Sequence, residues 1–533
     1  MDMHEQPTGP WSGEGVRQQP LPGQQGATVP GQSARRSGSI SRRTLFTGLA
    51  GVGAAGVVAA AGGVVLEQWW QHQGDTLFHG AAATPQIGHL LRRAGFGATK
   101  DELASYASLG YTGAVERLIN YQQVSDDGME NRLKTLNLDL NKVLDQQRWW
   151  LLRMAWTQRP LLEKMTLFWH GYLTSSFRKV GGKNDYGRMI VQNQFLRSHA
   201  FDTFDNILLG ITSDPAMLVY LDLTKSRKNS PNENYARELM ELFTLGLGQY
   251  TQQDVYEGAA ALTGWHVAAG STKAIYNPRD HNDQVKTYLG QKGNFDYKDV
   301  IRMLANHSAT PWFIARRLFT FFAYENPSND DLKPLVDAYT KSNHNMGEVM
   351  RALLLSPQFN SAKAYRSRVK SPAEFVVGTY RALGVESDGS ALPYETILLG
   401  QTLFDPPNVA GWPGDKVSSY WLNSGTWMAR LNYIDLVLIG YRNRTGGYKP
   451  VDLQGMINTN HIDTPEHFVD HFSSFLLDGV IDQDRKTQLI GYFTSPDTGK
   501  GPQITLTNGK SYPLSRVRGT LYLLLASPEY QLN

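Results

Sequence analysis

Apolar residues recur at three- and four-residue spacings along most of the chain. Alternation of period two is confined to fragments such as Pro502 to Leu506. The fold class this predicts is all-α, a large irregular multi-helix domain with long ordered loops, and no fixed-period repeat suggests a solenoid. The pattern is sharpest from Asn229 to Trp265. Ser230-Pro231-Asn232-Glu233 reads as a capping box with proline in the first helical position. At 100° per residue, Tyr235, Leu239, Leu242 and Phe243 share one apolar face, which Met240 and Leu245 extend. Asn234, Glu238 and Glu241 fall in one narrow arc together with Leu245, so hydrophobic walls are expected around them. Gly246 and Gly248 end this helix, and Thr251-Gln252-Gln253-Asp254 opens a second that runs to Thr263. The second helix carries no lysine or arginine, so this helix-turn-helix has nothing to meet phosphate with.

The same signals place helices at Lys100 to Leu109 behind the N-cap Thr99, at Gly113 to Tyr121, and in a surface helix-loop-helix over Asp126 to Gln146. A tryptophan-rich helix ends near Gln158 and Pro160 starts another. Further helices are predicted from Asp185 through His199, from Asp214-Pro215 to Asp222, and over Tyr297 to Ala305, Pro311 to Tyr324, Leu332 to Ser342, Met346 to Leu355, Pro372 to Leu383, Glu395 to Phe404 and Tyr420 to Gly440. Between the last two, Asp405-Pro406-Pro407-Asn408 and Gly411-Trp412-Pro413-Gly414 form a long ordered loop of the kind that lines clefts.

Composition acts mainly by exclusion. A net charge of +3 over 533 residues, with no basic run beyond the N-terminus, removes a nucleic-acid groove. The absence of cysteine removes disulfides, thiolate zinc sites, a cysteine nucleophile and a lipoprotein anchor, so any metal must be held by nitrogen and oxygen. Residues 1–40, rich in Gln, Gly, Pro and Ser, read as disordered. Ser41-Arg42-Arg43-Thr44-Leu45-Phe46 is a twin-arginine pattern, followed by an uncharged, Gly/Ala-rich stretch over 44–66. Export by the twin-arginine machinery is favoured over a plain membrane anchor, because glycine and alanine make a weak membrane helix. Cleavage at Ala59-Ala60-Ala61 and retention as an anchor both stay open. The destination is extracellular or the cell envelope, with residues 67–84 as a linker and 85–533 as one large helical domain.

Walled carboxylates need a counter-cation, a metal or a shared proton. His170, flanked by Phe168, Trp169 and Tyr172 on the helix begun by Pro160, is the candidate complement. The candidate catalytic residues are therefore Glu238, Glu241 and His170. The same three with the loop residue His281 are the candidate ligands of a divalent metal. Asn234, Asn193, Trp265 and Trp412 are candidate substrate contacts, the aromatic groups suiting a sugar or other extracellular polymer. The competing reading is a structural ion-pair network, in which Arg93 is an equally good partner for a buried carboxylate. The ferritin-like Glu-x-x-His repeat is missing, and His467 and His471 lack the glutamate of the zinc-protease motif and read as a surface pair. Arg178-Lys179-Val180-Gly181-Gly182-Lys183 reads as an anion-binding loop or flap without nucleotide-loop spacing. Two function classes remain: an exported metal-assisted or carboxylate acid/base hydrolase, and a non-catalytic binding or assembly protein of the envelope.

Several runs give a more specific lead: HLLRRAGFGAT (His89 to Thr99), LFWHGYLTSS (Leu167 to Ser176), DPAMLVYLD (Asp214 to Asp222), PNENYARELMELFTLGLGQYT with AAALTGW, KTYLGQKG (Lys286 to Gly293) and GQTLFDPPNVAGWPG (Gly400 to Gly414). Taken in order, they resemble the signature of the bacterial domain-of-unknown-function family number 1800. The resemblance implies an exported, mainly helical protein without an agreed activity, often encoded beside a sulfatase-like family that would be its partner. It also implies a histidine followed by an acid near residue 281, where this chain departs with His281-Asn282-Asp283.

Overall fold

Side-chain caps start most of the helices where the sequence asks for them. Thr99, Thr251, Asp296, Ser328 and Ser371 each close a capping box, taking the N3 amide while the N3 acid takes theirs. The structure is a computed structural model that describes residues 83–181, 186–443, 446–497 and 501–533, all within the unit Gln68–Asn533. The twin-arginine pair Arg42 and Arg43, the stretch 44–66 and nearly all of the linker lie outside the described residues. The architecture is predominantly helical. Among the described residues, no helix is long and apolar enough to cross a membrane.

The site depends on six helices: α1 (Val143–Trp156), α2 (Pro160–Tyr172), α3 (Pro215–Tyr220), α4 (Asn234–Glu241), α5 (Gln252–Ala261) and α6 (Thr310–Phe322). α2 runs through the middle and is buried from Pro160 to Tyr172 at every position but Gly171. A helix apolar nearly all round has no solvent face to offer, so its two charges must be met inside. Glu163 accepts from Trp150 Nε1 (2.9 Å), Arg153 (3.3 Å) and Arg197 (2.7 and 2.9 Å). These cations overcome the cost of burial and hold its carboxyl down at about 2. Lys164 pairs with Glu374 on the equally buried helix Pro372–Ala382 and also donates to the Gly95 carbonyl (3.1 Å).

Among the described residues, strands amount to four two-stranded antiparallel pairs of three residues a side: β1 (Trp265–Val267) with β2 (Ala274–Tyr276), β3 (Lys286–Tyr288) with β4 (Gln291–Gly293), β5 (Tyr441–Asn443) with β6 (Gly446–Tyr448), and β7 (Gln503–Thr505) with β8 (Ser511–Pro513). Only the last coincides with the predicted fragment, because three residues are too few to show alternation.

Other departures have local causes. α4 begins at Asn234 rather than Pro231, and Glu233 makes no side-chain cap. Ser230 is instead spent on a tight turn, exchanging both backbone hydrogen bonds with Arg227. The predicted helix Glu395 to Phe404 is shorter and earlier, Leu392–Leu398, and Phe404 sits in the left-handed region at φ 64°. Arg93 meets no carboxylate; it donates to the carbonyls of Phe321, Phe322 and Ala323 at the C-terminus of α6. Of the histidine pair, His467 is exposed beside Asp463 (3.0 Å), while His471 is buried.

Candidate functional site

His170 is fixed by the long loop rather than by a carboxylate. Its Nε2 accepts from the Phe404 amide (3.0 Å), and its ring lies among Trp150, Phe404 and Trp412. Burial alone pushes its pKa down to about 3, with no charged neighbour contributing, so the ring is neutral. The same turn is pinned by Gln147 donating to the Leu403 carbonyl (2.8 Å), the Phe177 amide to the Phe404 carbonyl (2.9 Å), and Ser176 and Arg178 to Asp405. Further along, Thr174 donates to the Val409 carbonyl (2.8 Å). Glycines make the close approach possible. A Cβ on Gly411 (φ 82°) would fall 2.1 Å from the Gly171 carbonyl oxygen, and one on Gly171 would fall 2.6 Å from Asp415 Oδ2. His170 thus orients the loop, and the structure does not bring it to Glu238 or Glu241.

The two glutamates do come together. They lie three residues apart on α4, each half-buried, and Glu241 accepts from the Tyr250 hydroxyl (2.8 Å). The Gly246 amide reaches back to the Met240 carbonyl (3.1 Å), with φ 83° at both Gly246 and Gly248; this turn folds Tyr250 back over α4. Burial and the neighbouring Glu241 charge raise the pKa of Glu238 against a weaker pull from Arg237. Burial and Glu241 push Tyr250 up to about 12, so its phenol keeps the proton it donates. Asn234 is exposed rather than walled in, and donates to Asp222 Oδ2 (3.3 Å); Lys179 meets the same oxygen (2.9 Å) and Lys225 meets Oδ1 (2.7 Å). The Asp405 and Glu238 charges, behind burial, raise Tyr220 at the end of α3. The polar face therefore joins α3, α4 and the Ser176–Lys179 turn.

One helical turn beyond Glu238, on the same side, Leu242 is only partly buried and lines a cavity of about 340 Å³. Phe168, Tyr172, Phe313, Phe321 and Trp412 supply aromatic walls, and Arg317, Asp415 and Lys416 supply charge. Three of the distinctive sequence runs converge here: α2, the end of α4 and the Gly400 to Gly414 loop. A larger cleft of about 970 Å³ lies around Tyr380 and Tyr448. Its charges are engaged: Arg381 with Glu102 (2.6 Å), Lys449 with Glu386 (2.6 Å), and Arg132 over the Trp156 ring (3.6 Å).

The remaining candidates are scattered. Asn193 is buried in the core with Oδ1 accepting from Arg197 (2.7 Å). Trp265 is buried against Tyr276 and Tyr297, away from solvent. His281 sits beside the Thr263 carbonyl (3.2 Å) and is lowered by burial. Among the described residues, no three His, Asp or Glu side chains are grouped closely enough to hold a metal ion. Of the proposed aromatic contacts, Trp412 lines the cavity beside Leu242. Sequence reasoning passed over Tyr250, Arg317, Asp415 and Lys416. Tyr250 is signalled only by the Gly246/Gly248 turn, Arg317 falls inside the predicted helix Pro311 to Tyr324, and the last two follow directly on the Gly-Trp-Pro-Gly run.

A multi-helix domain with a loop seated on its central helix, and with acids gathered at one end, defines the class. The chain belongs to the family described as "Protein of unknown function (DUF1800)", whose profile matches residues 89–532. No curated protein and no solved structure matches it.

Proposed function

We propose that the chain is an exported hydrolase of a hydroxylated extracellular polymer, with Glu238 and Glu241 as its acid/base pair. The observation that carries this is the pair itself: two glutamates one turn apart, with Tyr250 bound to one and, among the described residues, no cation paired to the other, on the helix whose next turn brings Leu242 to the wall of an aromatic cavity. Glu238, inclined to keep its proton, gives it to the leaving oxygen as the glycosidic C–O bond breaks. Glu241 takes a proton from the attacking water, and Tyr250 fixes its orientation. Polymer cleavage measured as new reducing ends should fall about 10²–10⁴-fold in Glu238→Gln and Glu241→Gln. Retention of wild-type cleavage by both would refute the assignment. Metal analysis of the same samples distinguishes direct acid/base action, with no metal bound, from water activation by a divalent ion that Glu238 and Glu241 would hold, whose loss in either variant would mark it. Export rests on Arg42 and Arg43: Arg42→Lys with Arg43→Lys should leave the protein inside the cell.

A second reading, an envelope assembly protein acting with a sulfatase-like partner, is favoured by Leu247 and Tyr256, which stand 76% and 55% exposed on the α4–α5 hairpin. Leu247→Ser with Tyr256→Ser should then weaken co-purification with that partner and leave polymer cleavage intact.

A further inference from the structure

The cavity beside Leu242 holds three charged side chains that the fold leaves without close partners. Among the described residues, Arg317, Asp415 and Lys416 make no side-chain hydrogen bond or ion pair, whereas Glu163, Lys164 and Arg92 are each paired. The Arg317 guanidinium carbon lies 5.8 and 5.2 Å from the ring centroids of Tyr172 and Phe313, and the side chain lines the cavity beside them. Burial lowers both cations, and Arg317 lowers Lys416 further, so each would gain from an added negative charge. Asp415, pushed up to about 7 by burial, counters them only in part. Arg316 at the same wall is already used, donating to the Pro327 carbonyl (2.8 Å) and Asn329 (3.1 Å).

We infer that this cavity binds an acidic sugar unit, a hydroxylated ring bearing one carboxylate, with Arg317 and Lys416 on the carboxylate, Asp415 accepting ring hydroxyls and Trp412 against the ring. The aromatic walls match a flat apolar ring face, and two unpaired cations against one acid match a single anion. The volume suits a small ligand: about 300–1,000 Å³ is usual for such sites. The inference names the substrate class of the proposed hydrolase and rests on that reading only for what happens after binding.

The test is calorimetric titration of the full chain with trigalacturonate, monomeric galacturonate and the neutral trisaccharide cellotriose. Trigalacturonate is expected to bind saturably and cellotriose at least roughly tenfold more weakly, and Arg317→Gln and Lys416→Gln are each expected to erase that preference. Lys416→Gln, on the half-buried loop side chain, keeps the test valid if Arg317→Gln fails to fold. Equal binding of acidic and neutral sugars, or no saturable binding of either acid, overturns the inference. Tighter binding of trigalacturonate than of monomer assigns the site to polymer, and equal binding to a free sugar acid. Glu238→Gln separates the two readings, since it should bind trigalacturonate normally. Acid-selective binding without cleavage by the wild type would sink the hydrolase and leave the binding site standing.

Discussion

Glu163 and Glu238 are both helical glutamates set among aromatic side chains, and they meet opposite circumstances. Glu163, on α2, receives two arginines and an indole and is held at about 2. Glu238, on α4, has an acid one turn away and, among the described residues, no paired cation, and is raised. A buried charge that is fully met belongs to the architecture, because the fold has already spent its partners on it. A half-buried charge left unmet faces whatever arrives from solvent. The comparison separates helices of similar polarity into scaffold and site, and the same division sets Lys164 apart from Lys416 and Arg93 apart from Arg317.

The largest effect should come from breaking the scaffold side. Glu163→Ala leaves Arg197 buried without its acid and Arg153 with Glu130 alone, and should cost about 3–5 kcal/mol in denaturant unfolding. Next comes the loop seat. Gly411→Ala adds a Cβ where the Gly171 carbonyl oxygen lies 2.1 Å away, at φ 82°, and should cost ~2–3 kcal/mol while also weakening acidic-sugar binding.

His170→Ala should cost roughly 1–3 kcal/mol, with His170→Gln recovering part of it. This position also carries a pH signature. The folded value is about 3 and the ordinary one 6.5, so the unfolded state binds the extra proton between them. Wild-type stability should therefore fall as pH drops from 6.5 toward 3, by up to about 1.4 kcal/mol per pH unit from this group. His170→Gln should be flatter over that window. Glu163 adds a separate loss only below about its ordinary 4.5, and Asp415, being raised, acts in the opposite sense between 3.8 and 7. Subtracting the variant's profile isolates the histidine, and parallel profiles would contradict its buried neutral state.

Much of the helical scaffold was legible because caps and apolar spacing are local. Thr99, Thr251 and Pro160 start helices as their positions ask, whereas α4 ends at Glu241 with Leu242 as its cap, and Gly246, four residues further on, folds back to the Met240 carbonyl. The pairing of Glu238 with Glu241 was legible for the same reason, being a matter of helical phase. Their exposure was not, since one helix's phase does not say what packs against it. His170 was misplaced because composition shows a polar group among aromatics but not which backbone amide, Phe404 in this case, lies 3.0 Å away. Asn193 and Trp265 are likewise absorbed by the core, Asn193 by Arg197 on its own helix and Trp265 by Tyr276 and Tyr297. The cavity was hidden because it is built from helices and a loop separated by more than 200 residues.

The smallest expected stability effect belongs to Glu238, and it tests the central claim most directly. Glu238→Gln removes a charge the fold does not use, so thermal unfolding should move by less than about 0.5 kcal/mol. Cleavage of acidic polymer by the same sample should be lost. A variant with a Tm several degrees lower and cleavage intact would contradict the account and place Glu238 beside Glu163, in the scaffold.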